Sequence, residues 1–329
     1  MAVGSRIPLN TLAIGFGLAG LADLWSTVVA ALGWPTPIGT AFWVIAAVAW
    51  VWLIVAHTVR GAHSAESLAS QLRHPVQGPL AALIPVVGML LGDELFTFVP
   101  WAGRTLVVAS IVASTLFAAW ILAFWMRGSV VPDAIHGGYF LPTVAAGLVA
   151  ATAAADVGYM ALAIGAFAVG VFFWAVMFAV IFARLAVRPP LPAPLVPTLA
   201  IFLAPPGVAG GAWFAIDDHR AGAIPVALAA LTVMMVLIEL ALIPVFRRLA
   251  FSLGFWSFTF PLAAAARFGV GWLAIDRPPG CEALIVLLLA IVTAVVLAVA
   301  IQSLRLVARG RRLAAEHTMT AADNEAATQ

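Results

Sequence analysis

The chain has no lysine, one cysteine, and charge on only 9% of its 329 residues. The lone thiol, Cys281, excludes an intrachain disulfide and a thiolate metal cluster, which leaves it the role of a small apolar residue. With 64% hydrophobic residues and so few charges, a water-soluble fold is excluded, because a chain of this length could not hide that much apolar surface. All 16 basic residues are arginine, and none of their runs is denser than Arg305 to Arg312, so the net charge of +2 does not point to a nucleic-acid partner. No His, Asp or Glu spacing resembles a metal site. No nucleophile, base and orienting acid fall at a common depth, so neither a cofactor nor an enzyme is expected.

What the chain does have is long apolar runs. Windows of about 20 apolar residues place ten membrane helices at 7–32, 38–60, 77–98, 102–126, 138–155, 157–185, 195–215, 221–246, 251–275 and 281–306. The first is longer than the apolar core of a signal peptide and reads as a retained helix. A membrane domain over 1–312 is then followed by a polar, aperiodic stretch, 313–329, expected to be a disordered cytoplasmic tail. Arg6, Arg60, Arg73, Arg127, Arg184, Arg188, Arg247, Arg248, Arg305, Arg309, Arg311 and Arg312 map to one side, with only Arg104, Arg220 and Arg277 opposite and Arg267 inside a helix. Positive charge is held on the cytoplasmic side, so both termini are expected there, in the cytoplasmic membrane, with odd-numbered helices running outward.

Prolines give the next level of order. Pro85, Pro142, Pro205 and Pro261 lie inside helices three, five, seven and nine, at spacings of 57, 63 and 56 residues, the length of one helical hairpin here. The fold class follows: an all-α membrane protein of five hairpins in a quasi-five-fold arrangement, with kinked odd helices inside. Each proline removes a donor from the carbonyl four residues earlier, and such a carbonyl cannot face lipid. The faces carrying the prolines are small, which permits either tight packing or a lumen. Pore-lining positions are expected at Pro85 and Gly88, Pro142 and Ala145, Pro205 and Ala209, and Ser257, Pro261 and Ala264. Helix one joins them through Gly15 and Gly17. Its Ile14 to Gly20 stretch spells a dinucleotide fingerprint without the strand that motif needs, so helix contact is the better reading.

Helix nine carries the sharpest feature, Phe260 beside Pro261. From Phe251 the ring lies about 14 Å in, near the middle of a hydrocarbon core about 30 Å thick. It is expected to plug the lumen as a gate. Asp23, Asp93, Glu94 and Arg267 lie toward the far ends of helices one, three and nine and are expected as outer-vestibule charges. The middle of the lumen is then uncharged, so passage would be governed by size, weak dipoles and hydration.

At Leu83-Ile84-Pro85 with Gly92-Asp93, Tyr139-Phe140-Leu141-Pro142 with Ala145-Ala146, Leu203-Ala204-Pro205, and Trp256 through Pro261, the chain resembles the tellurite-resistance and dicarboxylate transporter family. That family includes bacterial TehA proteins, fungal malate and sulfite transporters, and plant guard-cell slow anion channels. The resemblance runs from Ile7 to Leu306. It implies a homotrimer of ten-helix protomers, each with its own pore closed by a phenylalanine at the position of Phe260. Two residues depart from the family pattern: Gly15 stands where a proline is expected, and Arg267 adds a charge. The expected function is a channel or facilitator for small anions, with a proton-coupled exporter of dicarboxylate, sulfite or tellurite as the alternative. An intramembrane enzyme is the third and weakest reading.

Overall fold

The structure is a computed structural model that describes residues 5–327, with side chains described through Arg309. Ten helices are long and apolar enough to cross a membrane: Leu9–Leu32, Pro37–Ala62, Gly78–Phe98, Pro100–Ser129, Gly137–Asp156, Met160–Val187, Val196–Ile216, Ala223–Phe246, Leu253–Asp276 and Cys281–Arg309. They are helices one to ten below. Each boundary lies within three residues of its expected position. Helix ten continues as Cys281–Ala327. The tail expected to be disordered, 313–329, lies outside the residues whose side chains are described. No strand occurs among the described residues.

The spans divide sharply by burial. In the most apolar stretch of each odd helix, 44–83% of residues are buried within the protein, against 17–28% in the even ones. The physical reason is composition: the even helices carry branched and aromatic side chains all round, which suits lipid, whereas the odd ones carry glycine and alanine that let backbones approach. Every odd helix packs on the even helix that follows it. The odd helices also contact one another in cyclic order, one on three, three on five, five on seven, seven on nine, and nine back on one. Each even helix fits the seam between two odd ones, and helix ten closes the last seam against helices nine and one.

All five odd helices enter with tight 3₁₀ winding before turning α-helical. The 3₁₀ segments are Leu9–Thr11, Gly78–Ala82, Gly137–Phe140, Val196–Leu203 and Leu253–Phe258. In helix five a π turn, Leu141–Ala145, follows. This corrects the expected role of the prolines. Pro85, Pro205 and Pro261 sit in the first turn of the α-helical part, where a missing N–H costs least, and Pro142 opens the π turn. The carbonyls of Gly138 and Ile201, expected to be bare, accept from the N–H groups of Leu141 and Ala204 in 3₁₀ fashion.

Side chains fix the helix ends. Gly33 stops helix one with φ 66°, which lets Trp34 N–H donate to the Val29 carbonyl at 2.9 Å. His136, in the loop before helix five, is fully buried. Its Nδ1 accepts from Gly138 N–H at 3.1 Å and its Nε2 donates to the Val76 carbonyl at 3.0 Å. Both ring nitrogens are thus satisfied by the neutral imidazole. Burial is the main cause that lowers its pKa to about 4, with Arg184 lowering it further against the Val76 hydrogen bond. Tyr139 Oη donates to the Pro75 carbonyl at 2.8 Å, so the entry of helix five is tied to the loop before helix three.

Candidate permeation pathway

Helix nine is held rigidly where it changes winding. Thr259 Oγ1 donates to the Trp256 carbonyl at 2.7 Å, and Trp256 Nε1 donates to Ser303 Oγ on helix ten at 3.0 Å. Ser303 Oγ in turn donates to the Val299 carbonyl at 2.8 Å. On the opposite side, Gly17 of helix one leaves room for this corner, since a Cβ there would overlap the Thr259 hydroxyl and lie 2.9 Å from the Trp256 ring. The backbone that carries Phe260 is therefore clamped between helices one and ten.

Phe260 separates two cavities. The near cavity, toward the starts of the odd helices, has a volume of about 40 Å³ and takes residues from all five of them, among them Ala13, Leu83, Val144, Ile201 and Ser257. Its lining carries no ionisable side chain. The far cavity has a volume of about 30 Å³ and is again bordered by all five odd helices, through Gly20, Leu90, Thr152, Gly207 and Ala264 among others. Phe260 and Val208 border both. The Phe260 ring is 5% exposed and stacks on Phe16 of helix one, with centroids 3.6 Å apart and planes at 16°.

Charge is confined to the far side. Asp23 and Arg267 border the far cavity and form an ion pair at 2.9 Å. Asp93, near the end of helix three, meets the side chain of Asp156 at the end of helix five, and both lie in the field of Arg267. Glu94 is further out and feels Asp23. Asp156 was not singled out in the sequence, because an acid at a helix end is ordinarily a solvated terminus. Only the end-on position it shares with Asp93 marks it.

The remaining expected lining residues divide. Ala145, Pro205, Ser257 and Pro261 border the near cavity, and Ala264 the far one. The others are corrected. A Cβ on Gly15 would face Leu53 and Trp50 of helix two, and one on Gly88 would face Ser110 of helix four. Gly17 faces helix nine, as above. Pro85 borders neither cavity, its place being taken by Leu83 two residues earlier. Pro142 borders a separate lateral cavity between helices four, five and six. Ala209 is fully buried in an apolar cluster that includes Phe214 and Phe268. A common cause is winding: 3₁₀ turns advance about 120° per residue and α turns about 100°, so a face counted at one constant step drifts away from the lumen.

The family model described as SLAC1, voltage-dependent anion channel, matches residues 6–306. A tellurite resistance protein TehA homolog from Haemophilus influenzae is 24% identical over 261 residues, covering 79% of each chain. Two Arabidopsis thaliana proteins are also similar, the S-type anion channels SLAH3 and SLAH2. SLAH3 is 24% identical over 91% of this chain and 48% of its own length, and SLAH2 is 23% identical over 79% of this chain and 51% of its own. The chain thus spans about half the length of these plant relatives.

Proposed function

Since the chain belongs to the SLAC1 family, described as voltage-dependent anion channels, we propose that it conducts small anions through the two cavities and that Phe260 is the gate between them. Transport rather than catalysis is the activity proposed. The observation that carries this reading is that one aromatic ring borders both cavities while all five odd helices surround each. The near cavity supplies no cation to hold an anion, so selection rests on size and on dehydration at the ring. Arg267, paired with Asp23, borders the far cavity together with Phe260, and it biases the far mouth without trapping the ion. The test is ion-substitution recording from purified protein in planar bilayers, comparing wild type with Phe260→Ala. Anion currents that grow in the variant support the gate, and a silent variant with native thermal stability refutes it.

One observation favours a second reading, the proton-coupled carrier. The Asp93 and Asp156 side chains touch beside the far cavity, an arrangement that can exchange a proton with an outer solution. A pH gradient imposed at zero membrane potential drives anion uptake in a carrier and leaves a channel indifferent. Asp93→Asn then abolishes the response only if the carrier reading is right.

We place the protein in the cytoplasmic membrane with both termini cytoplasmic, which the arginine distribution supports, and as a homotrimer. Association between copies is supported by Glu239, whose Oε1 is buried without a partner on otherwise lipid-facing helix eight, and the number three is taken from the family resemblance. Mass measurement of the protein in mild detergent tests this.

A further inference from the structure

Helix one is contoured to the Phe260 ring, and we infer that Phe16 is the second half of the closure: its ring backs Phe260 and holds it across the path. The inference rests on the reading of Phe260 as the gate. The two rings lie face to face, 3.6 Å between centroids and 16° between planes, and they are 7% and 5% exposed. Both border the near cavity, but only Phe260 reaches the far one, so Phe16 lies on the near side of the gate. One helical turn beyond Phe16, a Cβ on Gly20 would come 2.8 Å from Cδ2 of Phe260 and 3.4 Å from its Cα. Helix one therefore offers this ring a flat partner at Phe16 and, at Gly20, a surface bare of side chain against which it packs.

The backbone at Phe260 cannot give way easily. Pro261 follows it, Thr259 is hydrogen-bonded to the Trp256 carbonyl, and Trp256 is bonded to helix ten. Opening by side-chain rotation is what remains. A swing toward the near cavity runs into Phe16, and a swing toward the far cavity breaks the stack. With centroids 3.6 Å apart the rings are almost superposed, so what holds the pair is apolar contact and close fit between helices one and nine and not a favourable ring-quadrupole geometry. Stacking also turns one electron-rich face of each ring against the other, which removes part of the surface that repels an anion. Phe16 thus acts as a positioning residue for the closed state and shapes the surface an anion meets.

The test is chloride efflux from liposomes holding the purified full chain, with thermal unfolding measured alongside, for Phe16→Ala, Phe16→Leu, Phe260→Ala and the Phe16→Ala/Phe260→Ala double variant. Phe16→Ala is expected to raise efflux several-fold when Phe260 is present, and to add no comparable factor to Phe260→Ala. Phe16→Leu keeps most of the apolar volume without the flat face, so it is expected to leak to an intermediate degree and decides the matter if Phe16→Ala does not fold. Wild-type efflux in both Phe16 variants, with Phe260→Ala conducting, overturns the partnership and leaves the gate standing. Equal factors in the two backgrounds overturn it as well, by making Phe16 an independent obstruction. Wild-type efflux in Phe260→Ala removes the gate, and with it the closure Phe16 was inferred to hold.

Discussion

Asp23 on helix one and Arg267 on helix nine meet at 2.9 Å across the seam where the first and last inner helices join. About a quarter of each side chain remains exposed, so the pair is neither a surface bridge nor a fully buried one. Breaking it leaves the surviving charge short of a partner in a poorly hydrated site. Arg267→Ala is expected to lower unfolding stability by about 2–3 kcal/mol, below the cost at a fully buried pair. The Asp23→Asn/Arg267→Ala double variant is expected to recover part of that loss. Thermal unfolding in detergent measures both, and a double variant less stable than the single would contradict the pairing.

Phe260→Ala removes the one aromatic side chain that borders both cavities. Anion conductance is expected to rise several-fold or more, without a comparable rise for cations. Recordings under chloride and sodium gradients of opposite sense check this, since reversal potentials separate a widened anion path from a nonspecific leak.

Two glycines predict opposite outcomes for the same substitution. At Gly17 a Cβ overlaps Thr259 and crowds Trp256, both held by hydrogen bonds, so Gly17→Ala is expected to cost about 1–3 kcal/mol. At Gly165 in helix six nothing lies within 4 Å, and Gly165→Ala is expected to stabilise by up to about 1 kcal/mol through helix propensity. Melting temperatures of the two variants should move in opposite directions.

His136 makes stability depend on acidity. Its folded pKa of about 4 lies below the ordinary value of 6.5, so between these pH values the unfolded chain binds a proton that the folded chain does not. Stability is therefore full above about pH 6.5 and falls as pH drops toward 4, by about 3 kcal/mol in all. Protonation would put a hydrogen on Nδ1 against the Gly138 N–H it now accepts from. Unfolding measured across this range should slope in the wild type, and His136→Gln should flatten the slope.

The spans were legible because a bilayer demands uninterrupted apolar length, and the division into inner and outer helices because Pro85, Pro142, Pro205 and Pro261 mark alternate spans. Phe260 stood out beside its proline. Phe16 did not: helix one has no such proline inside it, and Phe16 sits between two glycines that drew the eye to packing. At about 100° per residue, Gly15 and Phe16 point to different neighbours, one toward helix two and the other toward helix nine. The faces of helices three and five were misassigned at Pro85, Gly88 and Pro142, because pattern counting assumes one winding and these helices use two or three. Asp156 needed the tertiary contact with Asp93 to stand apart from other helix-end acids.

The closing of helix nine onto helix one has a consequence for biosynthesis. Phe16 enters the bilayer with the first hairpin and Phe260 with the fifth, so a nascent chain holds an unfinished barrel wall until its final quarter has been inserted. Completion of the ring of inner helices waits on helix nine, and a chain that stops short of it lacks the Phe16–Phe260 contact altogether.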